Sequence, residues 1–177
     1  MTLGGLSKFI LVISRLALGW LMFYAGITKV LDPNWSASGY IANAQNFNGF
    51  YQWLATSQNI GWVNFINEWG LTLIGGSVIL GIFVRLSSIA GFLMMLLYYL
   101  PILKFPYPNP HSYIVDEHII YALVFLFFAA VRAGRVWGLE SWCSGLPICR
   151  RVPGLRSILG WLKRARIKLN INEKTAI

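Results

Sequence analysis

Residues 9–31 read FILVISRLALGWLMFYAGITKVL, an apolar run broken by only two charges, Arg15 and Lys29. As a helix rising 1.5 Å per residue, the stretch Phe9–Leu31 is long enough to cross a hydrocarbon core of about 30 Å. Its small and charged residues follow a pattern: Arg15, Gly19, Met22, Gly26 and Lys29 recur at alternating steps of four and three. They therefore share one helix face. Glycines on such a face permit close backbone approach between membrane helices. The stripe is expected to face the interior of a bundle, with Arg15 and Lys29 about four turns apart. Arg15 is expected to snorkel to the headgroups.

Three more apolar runs of spanning character follow, Trp69–Val84, Leu86–Leu103 and Ile114–Val131. The second of the four runs is short unless Phe65–Glu68 extends it. The whole chain of 177 residues is 56% hydrophobic and 12% charged, too apolar for an ordinary soluble domain. The expected fold class is an all-α membrane protein, a four-transmembrane-helix bundle. A cleaved signal peptide is not expected, because the first run is too long and ends in Lys29-Val30-Leu31-Asp32 rather than a small-residue cleavage site.

Charge is lopsided. From Arg132 onward there are ten Lys/Arg and two acids, a net of +8, so everything before contributes only +1 of the total +9. Basic residues that directly follow a spanning segment fit a cytoplasmic tail, not a nucleic-acid footprint. Lys8, Arg15 and Arg85 agree with that side, whereas Asp32–Gly61 contains no Lys or Arg and should face outward. This gives a multi-pass protein of the cell membrane with both termini cytoplasmic. Residues 1–140 form the transmembrane domain and residues 141–177 the basic tail. In the tail, Pro153–Leu169 reads as a basic amphipathic helix suited to anionic lipid headgroups. In the outer connection, Phe47, Phe50, Tyr51 and Leu54 have the spacing of an interfacial helix. The second and third spans form a hairpin around Arg85, and Pro101 marks the fraying of the third.

Five ionisable side chains fall at the outer ends of the spans: Lys29 closes the first, Glu68 opens the second, and Asp116, Glu117 and His118 open the fourth. Charge near hydrocarbon is costly, so such a cluster is a functional-site hypothesis; a pinning salt-bridge network is the structural alternative. In the chemical version His118 exchanges protons near neutral pH, with Glu68 or Glu117 as relay. Lys29, with Asp116 nearby, meets an anion from outside. Tyr98, Tyr99 and Tyr121 add hydroxyls and flat walls suited to a quinone ring. No phosphate-binding glycine loop or dinucleotide fingerprint is present. His111 and His118 are the only histidines, and Cys143 and Cys149 form neither a C-x-x-C pair nor a zinc set, so no metal and no bound cofactor is expected.

The chain resembles the DoxX/DoxD family of small four-helix membrane proteins. The likeness is carried by Arg15-Leu16-Ala17-Leu18-Gly19-Trp20, by Gly26-x-x-Lys29 with Pro33, and by Asn67-Glu68-Trp69-Gly70. It continues in Gly81-Ile82-Phe83-Val84-Arg85-Leu86, Tyr113-Ile114-Val115-Asp116-Glu117-His118 and Ala133-Gly134-Arg135-x-Trp137-Gly138-Leu139. The resemblance implies a membrane subunit of a thiosulfate:quinone oxidoreductase, which joins two thiosulfates into tetrathionate and passes electrons to membrane quinone. It also implies a small DoxA-like partner subunit. A non-catalytic assembly or scaffold role is the alternative carried beside it; a small-solute transporter is disfavoured, because no discontinuous helix or inverted repeat is visible, and a homo-oligomer is carried among the partners.

The charge asymmetry makes a topology prediction. In a Cys143→Ser, Cys149→Ser background, a cysteine placed at Gly49 should react with an impermeant maleimide added to intact cells. Reaction only after permeabilisation would reverse the assignment.

Overall fold

The computed structural model describes residues 4–108 and 111–140, and what it describes is all-helical, with one isolated bridge between Lys104 and Tyr107. The basic tail, with Cys143, Cys149 and the helix expected over Pro153–Leu169, lies outside the described residues. In chain order the helices are α1 (Gly5–Val30), α2 (Ser38–Ala42), α3 (Asn48–Leu54), α4 (Ile60–Leu80), α5 (Val84–Ile102) and α6 (Glu117–Val131). A 3₁₀ turn follows at Ala133–Arg135.

Three helices, α1, α4 and α5, are long and apolar enough to cross a membrane. Large apolar side chains such as Trp20, Leu73, Leu86 and Leu93 project outward from them, as a lipid environment requires. The fourth run is shorter than Ile114–Val131. Ile114 takes a left-handed φ of 57°, and Asp116 caps a helix that starts only at Glu117 and has 15 residues.

The second run also shifts. It occupies Ile60–Leu80 instead of Trp69–Val84, so Glu68 lies more than two turns inside α4 and does not open it. Asn64, Asn67 and Glu68 lower its mean hydropathy to 1.2, against 1.8 for α1, which hides its first half from an apolarity count. Its end is set by Gly81, whose φ of +71° suits a residue without a side chain. The hairpin therefore turns at Gly81–Phe83, and Arg85 falls in the first turn of α5. Pro101 lies within the last turn of α5, where its carbonyl accepts the Gln45 N–H at 2.8 Å.

The bundle is built from two intimate pairs, α1 with α4 and α5 with α6, joined mainly through α4 and α5. The small-residue stripes are what close the pairs. A methyl group on Gly26 would collide with the Thr72 backbone and come within 2.9 Å of the Glu68 carbonyl. One on Gly75 would strike the Phe23 backbone and lie 2.6 Å from the Gly19 carbonyl. One on Gly91 would meet the Phe125 ring at 2.8 Å. The expected inward face of α1 is the observed one, since Arg15, Gly19, Met22 and Gly26 are buried.

Arg15 does not snorkel. It is 2% exposed, and its guanidinium donates to the carbonyls of Ala133 at 2.9 Å, Val136 at 3.0 Å and Trp137 at 3.4 Å. These carbonyls belong to the 3₁₀ turn and the residues just after it, beyond the end of α6. A five-donor fork satisfies several at once, which makes burial tolerable. At the opposite end of the bundle, α2 and α3 form a cap with a small core of Ala37, Ile41, Ala44 and Tyr51. Phe47, Phe50 and Trp53 stay exposed on it, as befits a helix lying in an interface.

Two stability predictions follow from this packing. Gly75→Leu should abolish the folded bundle, whereas Gly61→Ala, which meets open space, should change stability by no more than about 0.5 kcal/mol. Arg15→Met should cost on the order of 3 kcal/mol by orphaning buried carbonyls. Thermal melting in detergent reads both, and an Arg15→Met chain as stable as the parent would refute the anchoring role.

Candidate functional site

Four helices deliver polar side chains to the Lys29 end of the bundle. Lys29 comes from the last turn of α1, where the Gly26 contact holds the backbone against α4. Its ammonium donates to Asn67 Oδ1 at 2.8 Å. It also sits 4.7 Å from the Trp35 ring centroid and 5.7 Å from that of Tyr98. The half-buried ammonium thus faces one amide oxygen and two aromatic rings. Glu68 is half-buried on α4 and acts electrostatically on Lys29, without a direct ion pair among the described residues.

On α6, Asp116 is 4% exposed and does two jobs. Its Oδ1 accepts the Ile119 N–H at 3.2 Å, capping the helix, while Oδ2 lies 2.7 Å from His118 Nδ1. A carboxylate on Nδ1 holds the proton there and turns Nε2 into the acceptor of the neutral ring. Tyr98 links the two halves. Its ring stands edge-on to His118 at 6.1 Å between centroids and also faces Lys29.

The cap closes over this group. Tyr40 donates its hydroxyl to the Tyr98 carbonyl at 2.5 Å, and Tyr51 donates to the Leu97 carbonyl at 3.0 Å. Burial pushes the Tyr40 phenol up to about 12, with Tyr51 and Asp116 adding to the effect. Burial raises Tyr51 as well. Both are therefore protonated donors at any physiological pH. An open groove lined by Gly39, Tyr40, Asn43, Gln45, Pro101, Ile102 and Lys104 shares Tyr40 with the cluster.

Of the residues expected from sequence, Lys29, Glu68, Tyr98, Asp116 and His118 gather at one end of the bundle. Glu117 does not turn inward and is exposed in the first turn of α6. Tyr121 lies nearly one turn further along α6, half-buried against the same core as Tyr98. Tyr99 is engaged elsewhere, its hydroxyl bonded to the Ile114 carbonyl. Asn67, Trp35 and Tyr40 were missed as site residues. A neutral amide gives no charge signal, and the two aromatics look like members of an interfacial belt. The adjacency of Asn67 to Glu68 was the one available clue. The assembled chemistry is an ammonium, a carboxylate–imidazole pair, phenolic donors and flat apolar walls.

The DoxX family model matches residues 10–102, more than half of the chain. The chain belongs to the DoxX family, and it is a membrane protein of the DoxX/DoxD type. No curated protein and no solved structure matches it significantly.

The geometry separates the two adjacent acids. Asp116→Ala should lose the helix cap and cost about 1 kcal/mol, whereas Asp116→Asn keeps a capping oxygen and should cost less. Glu117→Gln, on an exposed side chain, should stay within about 0.5 kcal/mol of the parent. Chemical denaturation of the three variants checks the order, and equal losses at both positions would contradict it.

Proposed function

We propose that this DoxX-family chain is the membrane subunit of a quinone-linked sulfur oxidoreductase, spanning the membrane four times with both termini cytoplasmic. In this account α6 completes its crossing with the exposed apolar residues Tyr113–Val115 that precede it. The reaction couples two half-steps. Two thiosulfate dianions form one S–S bond and release two electrons, giving tetrathionate. A quinone takes the two electrons and two protons, giving quinol. Electrons pass directly from sulfur to quinone or through a DoxA-like partner subunit.

The observation that supports this reading is the placement of Lys29 beside the His118–Asp116 pair with Tyr98 between them. Lys29 supplies positive charge for an incoming dianion, with Asn67 and Trp35 holding the ammonium in place. Water-poor surroundings strengthen that attraction. His118 supplies or accepts the quinone protons, with Asp116 fixing its tautomer and Glu68 as a second proton carrier. Tyr98 and Tyr121 provide the walls for a quinone ring. Glu117 is placed too far into solvent to share this work.

A second reading, a non-catalytic assembly subunit, is supported by a different observation. Arg15 and Asp116 both hold backbone, one at each end of the bundle. Charge in this chain therefore has demonstrable structural employment.

Membranes containing the chain and its partners should reduce a quinone analogue when thiosulfate is added. His118→Ala and Glu68→Gln should each lower that rate by about 10²–10⁴-fold, the usual contribution of a positioned acid or base, with the melting temperature little changed. Glu117→Gln should leave the rate intact. Rates that fall only in step with loss of folded protein would favour the assembly role, and no thiosulfate-dependent reduction at all would remove the sulfur chemistry.

A further inference from the structure

The end of α5 has one carbonyl more than its length accounts for. The last four carbonyls of a helix have no helical donor, and in α5 these belong to residues 99–102. Leu97 lies outside that set. Its helical donor would be the N–H of residue 101, and residue 101 is a proline, which has none. The Leu97 oxygen accepts the Tyr51 hydroxyl of the cap instead, at 3.0 Å. Tyr51 is 4% exposed, while its neighbours Phe50 and Trp53 point out of the cap.

The rest of the cap is seated on the same stretch of backbone. The Gln45 N–H donates to the Pro101 carbonyl at 2.8 Å, the Asn46 amide to the Leu103 carbonyl, and the Tyr40 hydroxyl to the Tyr98 carbonyl at 2.5 Å. Leu100 packs against the cap core. Any sequence would present carbonyls at those three positions near the helix end. Only the Leu97 bond depends on a particular residue of α5, and that residue is Pro101.

The seated cap covers Lys29. Trp35 packs on the cap core and places its ring 4.7 Å from the Lys29 ammonium. Tyr40 meets the Tyr98 ring edge-on at 6.3 Å between centroids, and Tyr98 in turn faces Lys29. Lys29 is half-buried as a result of what lies around it, the cap included.

We infer that Pro101 is a positioning residue: by denying Leu97 a helical partner, it makes the end of α5 the seat on which the cap latches as a lid over Lys29. Tyr51 closes the latch. With an N–H at position 101 the helix would claim the Leu97 carbonyl, and the Tyr51 hydroxyl would be buried without an acceptor. A buried polar group left unmet is costly, so the lid would loosen even as the helix gained a bond. The inference concerns access to Lys29 and does not depend on sulfur chemistry taking place there.

The test is residue-resolved amide hydrogen exchange of the purified full chain in lipid nanodiscs. The Gln45 amide reports cap seating, and the Thr72 amide is the control in the α1–α4 seam. Tyr51→Phe removes the donor, and Pro101→Ala supplies the helical N–H. Each should speed Gln45 exchange about tenfold, one hydrogen bond's worth of local opening, and leave Thr72 unchanged. The double variant should open no more than either single one, because the Pro101→Ala helix no longer offers Tyr51 an acceptor. Effects that multiply to about a hundredfold, as independent losses would, or an equal rise at Thr72, would overturn the latch. A second readout ties seating to the site: acylation of Lys29 by an impermeant N-hydroxysuccinimide ester, taken relative to Lys8 near the other end of α1. Both single variants should speed Lys29 acylation in step with Gln45 exchange. Faster Gln45 exchange with Lys29 acylation unmoved would overturn the lid.

Discussion

The closeness of α1 to α4 is the constraint on which the rest depends. Lipid tails are as apolar as leucine, so no hydrophobic gradient drives two helices together inside a bilayer. Contact must come from fit, and here the fit is backbone against backbone. Gly19 and Gly26 of α1 meet Gly75 and Thr72 of α4 with no room for a methyl group. Every long side chain near that seam inherits its position from it. Lys29 lies one turn beyond Gly26, and Glu68 offers the carbonyl that Gly26 approaches. The pairing of Lys29 with Asn67 is thus a consequence of a glycine contact less than one turn away.

The two ends of the bundle use charge differently. At the Arg15 end the guanidinium donates to carbonyls of the turn that follows α6. Gly81 and Gly138 are small there because the Arg15 fork and the neighbouring backbone need the space, and Gly134 because the Glu140 and Val84 side chains do. At the Lys29 end the interactions are mixed: cation with aromatic faces, amide with ammonium, carboxylate with imidazole. The set leaves a buried hydroxyl unsatisfied.

Much of this was visible in the sequence, and the exceptions have physical causes. The four-and-three stripe on α1 gave its inward face, because helical periodicity survives translation into packing. Turn positions were less readable. Gly81, which ends α4, and Val84, which opens α5, were both counted into the second span, since a glycine and a buried valine suit the interior of a span as well as its end. The early start of α4 was masked by Asn64, Asn67 and Glu68: Asn64 accepts the Ala37 N–H of the cap, and Asn67 accepts from Lys29. Arg15 was misplaced because a long cation near a helix end usually reaches water, and only tertiary structure shows that backbone carbonyls wait for it. Asp116 and Glu117 are equivalent as letters. Which of them turns inward is decided by the capping geometry at the start of α6.

The central claim is that α1 and α4 meet so as to couple Lys29 to Asn67 across the helix pair. A double-mutant cycle tests it most directly, with Lys29→Met, Asn67→Leu and the double variant unfolded reversibly in mixed micelles. A hydrogen bond of this kind predicts a favourable coupling of about 0.5–1.5 kcal/mol between the two positions. Strictly additive effects would mean that the two side chains do not meet, and would contradict the account.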